Sequence, residues 1–497
     1  MGVSEHPAGE GMQDVSGRTI GTRSAWAALA VLCFGIFLST LDGTAVSALL
    51  PTIIKDYEGA FSPTAVERAG WIVTAYLVGY TVVMPVMGRV ADLFGHRRVF
   101  NVSILIFITG SVLCTLAPSI QWLAALRALQ AVGGGALIPI TMGILGYSFD
   151  RRQHAMALGF LVLVYEAGGA LGPFYGAFMA QPVGWRGIFW INVPLCLAVM
   201  VVVWLLVPRW PRRDVHVDYR GAVLLAIFLT LVTAGLSGQR TYGWYHFVIP
   251  MLAAGAAVLV AFIRVEQRQE HPIIRLSMFR NVTFSSANLA NLLEGVARIT
   301  ALVQVPMFAY VTRAATPIEG GLMVIRMTVM IPVGALVGGL VTNRIGHRVT
   351  AAAGFGMLAL GLFLVSRWPQ DVTDLVVTRD LAMVGFGLGL ESPALMAAVL
   401  ASVSKARLAL GSSIHIVSNT TGMMVGLAAL SGWGIYTFEN ILRIENLPLL
   451  NWQQLESEAE RRSLEAILVV LHRFFLVAAL LAALAIIPSL LIKVKQE

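Results

Sequence analysis

Charge and cysteine are both scarce in this sequence. Only 12% of its 497 residues are charged, against about 25% in soluble domains. Cys33, Cys114 and Cys196 fall within apolar runs, so we expect no disulfide framework, and no His or Cys shows the spacing of metal ligands. The phosphate-cradling pattern GxxxxGK(S/T) is absent, which argues against direct use of ATP. Since no catalytic constellation stands out either, we do not expect an enzyme.

Apolar runs dominate the chain instead. Hydrophobic residues make up 57% of it, and the mean hydropathy is +0.77. A bilayer crossing takes about 20 residues, and we count fourteen such runs, arranged as six, two and six. The expected fold is an all-α integral membrane protein with two six-helix halves and two inserted linker helices. We expect a tail at 1–23, the N-terminal half at 24–208, the linker helices with basic flanks at 209–280, and the C-terminal half at 281–497.

The positive charges predict the orientation. With both termini inside, most of the 35 Lys and Arg residues fall in inner loops and tails, so the positive-inside rule favours cytoplasmic termini. The net charge of +8 then requires no nucleic acid as a partner. The first 24 residues contain no apolar segment of the kind found in cleaved signals, and we expect them to form a disordered tail.

Two similar stretches recur at a fixed distance along the chain. GRVADLFGHRRVF, from Gly88 to Phe100, and GLVTNRIGHR, from Gly339 to Arg348, match at five positions with one offset of 251 residues. Each lies between apolar runs, which indicates an internal repeat and predicts a short loop at one membrane face. In the first loop we expect a tight glycine turn, an acid that favours a helix start and arginines that attract anionic lipid. The residues concerned are Gly88, Asp92, Gly95, Arg97 and Arg98.

The first of these stretches resembles the signature loop between helices 2 and 3 of the major facilitator superfamily. The usual pattern there is Gly-x-Leu-Ala-Asp-Arg-x-Gly-Arg-Arg, from which this chain departs because Leu93 and His96 replace basic residues. The resemblance implies that the loop gates the cytoplasmic side. Fourteen helices are typical of the superfamily's larger drug and proton antiporter branch. That branch implies a monomeric bacterial inner-membrane protein that is driven by a proton gradient and needs no cofactor.

Three further segments carry the same resemblance. In LDGTAVSALLP, the Asp, Thr and Pro match the first-helix motif of that branch, and RALQAVGGGALIP resembles the Arg-x-x-Gln motif of the fourth helix. VYEAGGALGPFYGAF resembles the antiporter motif of the fifth helix, which implies a stripe of small residues and a kink. The matching residues are Asp42, Thr44 and Pro51, then Arg127 and Gln130, then Gly168, Gly172, Pro173 and Gly176.

Ionisable residues at bilayer depth are costly and are functional candidates by default. For Asp42 and Glu166 two interpretations stay open: a carboxylate that binds and releases a proton, or a fixed ion pair, with Arg127 as the partner of Asp42. Glu166 points away from the glycine stripe of its helix, so we expect it to face a central cavity. Glu294 and Arg298, four residues apart, first predict a pair within one helix. The remaining candidates for a network in the second half are Arg326, Glu391, Arg473 and His415.

The last two apolar segments are each too long for one crossing. Subtracting about 20 residues from each leaves roughly 15 per helix, which predicts a helical hairpin outside the membrane at about 432–465; the alternative is a disordered outer loop. This feature and Glu166 are similar to the mycobacterial-type triacylglyceride exporter group. That similarity implies a periplasmic lipid-binding lipoprotein as a partner, and an ion lock between the acid and an arginine on an extended helix. By location, Arg443 is the candidate for this arginine.

Together these features favour an exporter that works by alternating access and is driven by protons. We expect a bulky, apolar substrate, since Met and aromatic residues abound and few polar groups converge. A lipid such as triacylglyceride is the first candidate, and multidrug efflux is the second. A non-transporting membrane scaffold or sensor, which would hold a partner with its outer hairpin, is the third.

Overall fold

The structure of the chain is a computed structural model. It describes residues 22–494 except 60–62, 150, 209–217, 238–243, 270–271, 273, 314–315, 405–407 and 445–451. Almost all of the tail predicted at 1–23, much of the basic stretch after residue 208 and the tip of the predicted hairpin therefore lie outside the described residues. Helices account for most of what is described, and no β-strand occurs within it.

The described chain forms fourteen α-helices, numbered here in chain order. The first five are α1 (Thr22–Glu58), α2 (Pro63–Phe94), α3 (His96–Thr115), α4 (Ile120–Ser148) and α5 (Arg151–Leu206). Next come α6 (Tyr219–Ser237) and α7 (Ile249–Arg268). The remainder are α8 (Val282–Arg313), α9 (Pro317–Thr328), α10 (Met330–Ile345), α11 (His347–Val365), α12 (Asp374–Ala401), α13 (Leu408–Ile444) and α14 (Trp452–Leu490).

These helices account for fourteen bilayer crossings. Thirteen helical segments of the described chain are long and apolar enough to cross a membrane, and α9 and α10 share one of them, Ile318–Thr342. Another, Met156–Leu206 in α5, has 51 residues, or about 76 Å of helix, more than twice the hydrocarbon thickness. It is broken at Gly184, whose φ of 70° and ψ of 169° are not helical, so it crosses twice. The even total places residues 22 and 494 at the same end of the bundle, called the termini end below.

The two halves repeat one packing pattern. In the first half α1 packs along α5 and α2 along α4, and in the second half α8 packs along α13 and α10 along α12. One backbone turn also recurs: Gly95 has φ 94° and ψ 124°, and Gly346 has φ 86° and ψ 159°. The N–H of each glycine donates to the carbonyl four residues earlier, of Ala91 and Thr342 respectively. The internal repeat predicted from the sequence is therefore confirmed.

The inserted pair, α6 and α7, packs beside the seam between the halves. The two helices contact each other, and α6 also contacts α2 and α13, one helix from each half. The side chains of Val223 and Ile227 on α6 and of Val260 on α7 are exposed, as expected for helix faces that contact lipid. The predicted fold class, two six-helix halves with an inserted pair, is confirmed.

The turn between α2 and α3 is shorter than the loop predicted from Gly88 to Phe100. Both helices run through that stretch, and only Gly95 lies outside them. Asp92 stands in the last turn of α2 with Oδ1 3.5 Å from Nε2 of His96. The expectation that this acid stands at a helix start is therefore corrected: it closes α2 beside the first residue of α3.

Arg97 binds the protein's own backbone. It donates to the carbonyl oxygens of Trp204 at 3.1 Å and Val207 at 3.3 Å, and its guanidinium lies 4.5 Å from the centroid of the Trp204 ring. Arg97 thus satisfies carbonyl groups at the end of α5, a common role for a basic residue at a helix C-terminus. The expectation of a lipid-facing side chain is corrected for Arg97, whereas Arg98 is exposed and remains available to lipid headgroups.

The last two helices are longer than one membrane crossing needs. α13 has 37 residues and α14 has 39, which is about 55 and 58 Å of helix against a hydrocarbon thickness of about 30 Å. Their ends opposite the termini, residues 435–444 and 452–464, are helical. This agrees with the extended ends predicted from the sequence.

Gly346→Ala should destabilise the fold more than Gly356→Ala. Gly346 has φ 86° and ψ 159°, a conformation that costs residues with a side chain of the order of 1–3 kcal/mol. Gly356 lies inside α11 with no atom within 4 Å of an added Cβ, and alanine is the better helix former there. Thermal unfolding of the purified variants, followed by tryptophan fluorescence, measures the difference. Equal midpoints would contradict a backbone requirement for glycine at 346.

Candidate functional site

A large cavity lies between the two halves. It takes up about 800 Å³, which includes space open to the outside. α1, α2 and α5 form one wall, and α8, α9, α10 and α13 form the other. Most of the lining is apolar or aromatic, with a few hydroxyl groups; it includes Tyr76, Leu77, Tyr80, Ile299, Leu302 and Met423.

A smaller cavity of about 370 Å³ adjoins the large one. On α5 and α8, residues that line only the small cavity, such as Val162 and Asn291, precede those that line only the large one, such as Gly169 and Leu302. Both helices begin at the termini end, so the small cavity lies on the termini side of the large one. The residues common to both cavities are Tyr165, Glu166, Arg298 and Asn419.

A charged cluster occupies the junction of the two cavities. Arg298 of α8 donates from Nη1 to Oε2 of Glu166 on α5 at 2.6 Å, and from Nε to Oε1 of Glu294 at 2.6 Å. Nδ2 of Asn419 on α13 donates to Oε2 of Glu294. The side chain of Arg298 is 12% exposed and that of Glu166 23%, while Glu294 is fully buried. One arginine of the second half therefore holds an acid from each half.

The glycine stripe of α5 directs Glu166 toward the cavities. A Cβ on Gly168, Gly172 or Gly176 would lie 2.8, 2.6 or 2.5 Å from carbonyl oxygens of α1, so these positions bring the two helices into close contact. Pro173 lies on the same stretch of α5. With α1 covering the glycine face, the opposite face of α5 carries Glu166 to the junction, as the spacing predicts.

A second buried charge network lies within the first half. Arg127 of α4 is fully buried and donates to Oδ2 of Asp42 on α1 and, at 2.7 Å, to Oε1 of Gln130. Oδ1 of Asp42 accepts a hydrogen bond of 2.7 Å from Nδ2 of Asn192. The guanidinium of Arg127 also lies 4.0 Å from the centroid of the Tyr76 ring, in a cation–π contact. Each carboxylate oxygen of Asp42 therefore has its own donor.

The two acids singled out in the first half thus have different surroundings. Glu166 lines both cavities, whereas Asp42 is 1% exposed and, among the described residues, is not part of either lining. Protonating Asp42 would disrupt bonds to two donors. Its geometry fits the fixed-pair interpretation better than a proton-binding one.

Two of the arginines expected in a second-half network lie elsewhere. Arg326 donates to Oδ1 of Asp374 at 3.1 Å, near the beginning of α12 at the end opposite the termini. Arg473 is exposed on α14. The predicted network is corrected accordingly: neither arginine joins the junction cluster.

The partner of Glu166 in this structure is Arg298. Arg443, the candidate from the sequence, lies in the last turn of α13, and its side chain is outside the described residues. A pairing of Glu166 with Arg443 stays a prediction.

Glu391 and His415 do lie near the cluster. Glu391 of α12 is 1% exposed, and its Oε2 has no hydrogen-bond partner among the described residues. The next residue, Ser392, lines the small cavity, as does His415 of α13. The carbonyl of His415 accepts a hydrogen bond of 2.6 Å from Nδ2 of Asn291, which fixes the backbone there to α8.

Sequence analysis missed the polar side chains that hold the charged groups in place. Asn192 stands 150 residues from Asp42, and Asn419 stands 125 residues from Glu294. No local spacing relates residues so far apart. The available signal was a weak one, an asparagine inside an otherwise apolar run.

Arg127→Gln should destabilise the protein strongly. The change leaves Asp42 as a buried charge without its cation, at a cost of about 3–5 kcal/mol. The double variant with Asp42→Asn removes both charges and should recover part of the loss. Arg68→Gln is the matched control, since Arg68 pairs with Glu58 at the surface at 2.8 Å, a type of pair worth about 0–1 kcal/mol. Thermal midpoints of the purified variants give the ranking; an unchanged midpoint for Arg127→Gln would contradict it.

Comparisons with known proteins agree with this architecture. Residues 32–265 match the family model of the Major Facilitator Superfamily. The chain is 32% identical over 424 residues to a triacylglyceride transporter of Mycolicibacterium hassiacum, a match that covers 82% of this chain and 79% of the relative. It is 34% identical over 427 residues to a triacylglyceride transporter of Mycobacterium tuberculosis, covering 82% of each.

Solved structures show the same fold. An inward-facing bacterial homologue of the human lysosomal transporter Spinster aligns with a TM-score of 0.68 at 14% identity, covering 96% of this chain and all of that one. The inward-open xylose transporter XylE of E. coli aligns with a TM-score of 0.57 at 12% identity, covering 92% of this chain and 95% of that one. The chain therefore belongs to the Major Facilitator Superfamily, alongside the mycobacterial triacylglyceride transporters that its sequence resembles.

Proposed function

We propose that the protein is a proton-coupled exporter of bulky hydrophobic molecules, with a triacylglyceride-like lipid as its first substrate. The observation that carries this proposal is the ion pair between Glu166 and Arg298, which joins the two halves where the two cavities meet. Alternating access requires contacts between the halves to form and break. When a carboxylate in such a contact takes up a proton, it loses its charge and the contact weakens.

The charge count of the cluster supports this role. Two carboxylates, Glu166 and Glu294, share one cation, Arg298. With both acids ionised the three groups carry one net negative charge, in a region where an uncompensated charge is costly; one proton makes them neutral. If the proton goes to Glu166, Arg298 keeps its bond to Glu294 and is not left unpaired. Separation of the halves then costs less than it would for a simple one-to-one pair.

In the proposed cycle, substrate enters from the termini end while the cluster is deprotonated. A proton from the opposite end neutralises Glu166, weakens its bond to Arg298 and resets the carrier. Each proton contributes about 2.3 kcal/mol per 100 mV of membrane potential. The proposal includes cytoplasmic termini and a bacterial inner membrane, so that this direction of proton flow follows the usual gradient.

The large cavity supports a hydrophobic substrate. Its walls are mainly apolar and aromatic, and relatives that are 32% and 34% identical over most of the chain are named as triacylglyceride transporters. Apolar pockets discriminate weakly between apolar ligands. Multidrug efflux is therefore the second candidate function.

The extended ends of α13 and α14 support a handoff step outside the membrane. Both helices are longer than one crossing needs, and the ends that follow one another in the chain lie on the side from which an exported lipid would leave. A periplasmic lipid-binding lipoprotein is the proposed partner there, with the transporter itself acting as a monomer.

Glu166→Gln should abolish transport driven by a pH gradient. Glutamine cannot ionise, so the cluster stays neutral and can no longer be recharged in each cycle. In proteoliposomes with an imposed gradient, movement of a fluorescent lipid should fall at least about tenfold, with an unchanged thermal midpoint. Glu58→Gln is the matched control because Glu58 pairs only at the surface, with Arg68, and it should transport like the wild type.

The outcomes of that experiment separate the candidate classes. Normal transport by Glu166→Gln would remove Glu166 from the coupling mechanism. A wild-type protein that moves neither lipid nor dye under any gradient would favour a non-transporting scaffold or sensor.

Shortening the extended ends should separate lipid export from drug efflux. Deletion of residues 436–462 shortens both helices at the end opposite the termini and removes no described residue of either cavity lining. We expect delivery of a fluorescent lipid to an acceptor protein to fall, while efflux of a hydrophobic dye continues. Equal loss of both activities would count against a handoff role for these ends.

A further inference from the structure

The lining of the small cavity is more polar than that of the large one. Side chains that carry hydrogen-bonding groups supply much of its lining: Glu166, Asn291, Arg298, Ser392, His415 and Asn419. Polar groups of this kind can hold an internal water molecule by hydrogen bonds. The small cavity reaches the charged cluster from the termini side, whereas the large cavity reaches the same cluster from the opposite side.

His415 is a titratable residue of the small cavity whose side chain makes no ion pair or hydrogen bond among the described residues; the phenol of Tyr165 is another. Its side chain is 5% exposed, and Nδ1 is buried without a hydrogen-bond partner among the described residues. The backbone bond from Asn291 holds the histidine against α8, the helix that carries Glu294 and Arg298. A buried imidazole nitrogen without a partner is costly unless water reaches it, and the polar cavity is where such water would lie.

Titratable and charged groups lie near His415 on three other helices. Glu166 and Tyr165 of α5 and Arg298 of α8 line the same cavity. Glu294 of α8 is linked to the lining through Asn419, and Glu391 of α12 precedes the lining residue Ser392. On the side of α2 and α4, the side-chain hydrogen bonds to α13 among the described residues join uncharged groups: Thr81 bonds to Thr420, and Ser412 bonds to the sulfur of Met142 at 3.2 Å.

We propose that the small cavity is a proton port separate from the substrate cavity, in which His415 relays protons between the junction cluster and water at the termini end. This inference rests on the proposed proton-coupled function and assigns the route that the proton takes. Nδ1 accepts the proton that leaves Glu166, and the imidazole then releases a proton to water of the small cavity and returns to its neutral form. Only a proton moves, and no other bond changes.

A separate route fits the proposed cycle. In that cycle the proton on Glu166 leaves toward the termini end before substrate binds, whereas the large cavity faces Glu166 from the opposite side. The small cavity offers the proton a route on the termini side. Coupling by this arrangement does not require substrate and proton to pass through the same space.

His415→Gln tests the relay in proteoliposomes that contain the full-length protein, a fluorescent triacylglyceride analogue and an internal pH dye. Glutamine retains a hydrogen-bonding side chain but cannot carry a proton. We expect gradient-driven transport to fall about tenfold or more, while exchange of the lipid without a gradient stays at the wild-type level. His472→Gln is the matched control: its Nε2 also lacks a partner, but His472 lies on α14 outside both linings, and both activities should be unchanged.

The failures of the relay and of the proposed function are distinguishable. Wild-type protein without gradient-driven transport would overturn the proposed function. Gradient-driven transport that is lost in Glu166→Gln but normal in His415→Gln would overturn the relay alone. Loss of exchange as well as gradient-driven transport in a folded His415→Gln variant would mean that the small cavity binds substrate, which also overturns the port.

Thiol labelling tests the port without changing His415. Ser392→Cys places a thiol in the small cavity, and the native Cys33, Cys114 and Cys196 are buried, so wild-type protein measures the background. A membrane-impermeant, water-soluble thiol reagent should label Ser392→Cys when added from the termini end. No labelling from that end, or labelling from the opposite end only, would overturn the assignment.

Discussion

The junction cluster depends on one constraint: an arginine in a poorly hydrated interior stays charged and has to be compensated. Arg298 is compensated twice, by Glu294 on its own helix and by Glu166 from the other half. Arg127 obeys the same rule with a single acid, Asp42, and neutral acceptors around it. The junction cluster therefore has one more negative than positive charge, which one proton can neutralise. The pair of Arg127 and Asp42 is already neutral. In the proposed mechanism, the junction cluster is therefore the part that changes, and the pair of Arg127 and Asp42 is the fixed part.

Close helix packing determines which way Glu166 faces. The glycines of α5 press its backbone onto α1, which commits that face of the helix to the first half. The opposite face is left to meet the second half, and there it presents Glu166. Since the glycine side fixes the position of the helix, a change at Glu166 alters contact between the halves without loosening the half to which it belongs.

The sequence predicts the features that depend on local spacing. An offset of 251 residues related two turns, at Gly95 and Gly346, that share an unusual glycine backbone conformation. The glycines spaced four residues apart on α5 predicted that Glu166 faces a cavity. The pair of Glu294 and Arg298 followed from one helical turn. The cross-half partner of Glu166 did not follow, because it stands 132 residues away and depends on how two halves dock. By its location in the sequence, Arg443 was the expected partner. In the folded protein the halves pack so that Arg298, which already pairs with Glu294 on its own helix, reaches Glu166.

The two halves share the same helix packing but differ in their buried charges. In the proposed mechanism, this difference is the reason why protonation of one acid affects the contact between the halves. Within the first half Arg127 is matched by Asp42, and within the second half Arg298 is matched by Glu294. Of the three acids in these two networks, Glu166 is the one without a cation in its own half. While it is ionised, it is stabilised by Arg298 across the seam, so the charge holds the halves together. Once it carries a proton, the ion pairs of each half balance without the other, and the halves can separate without leaving a charge unpaired between them.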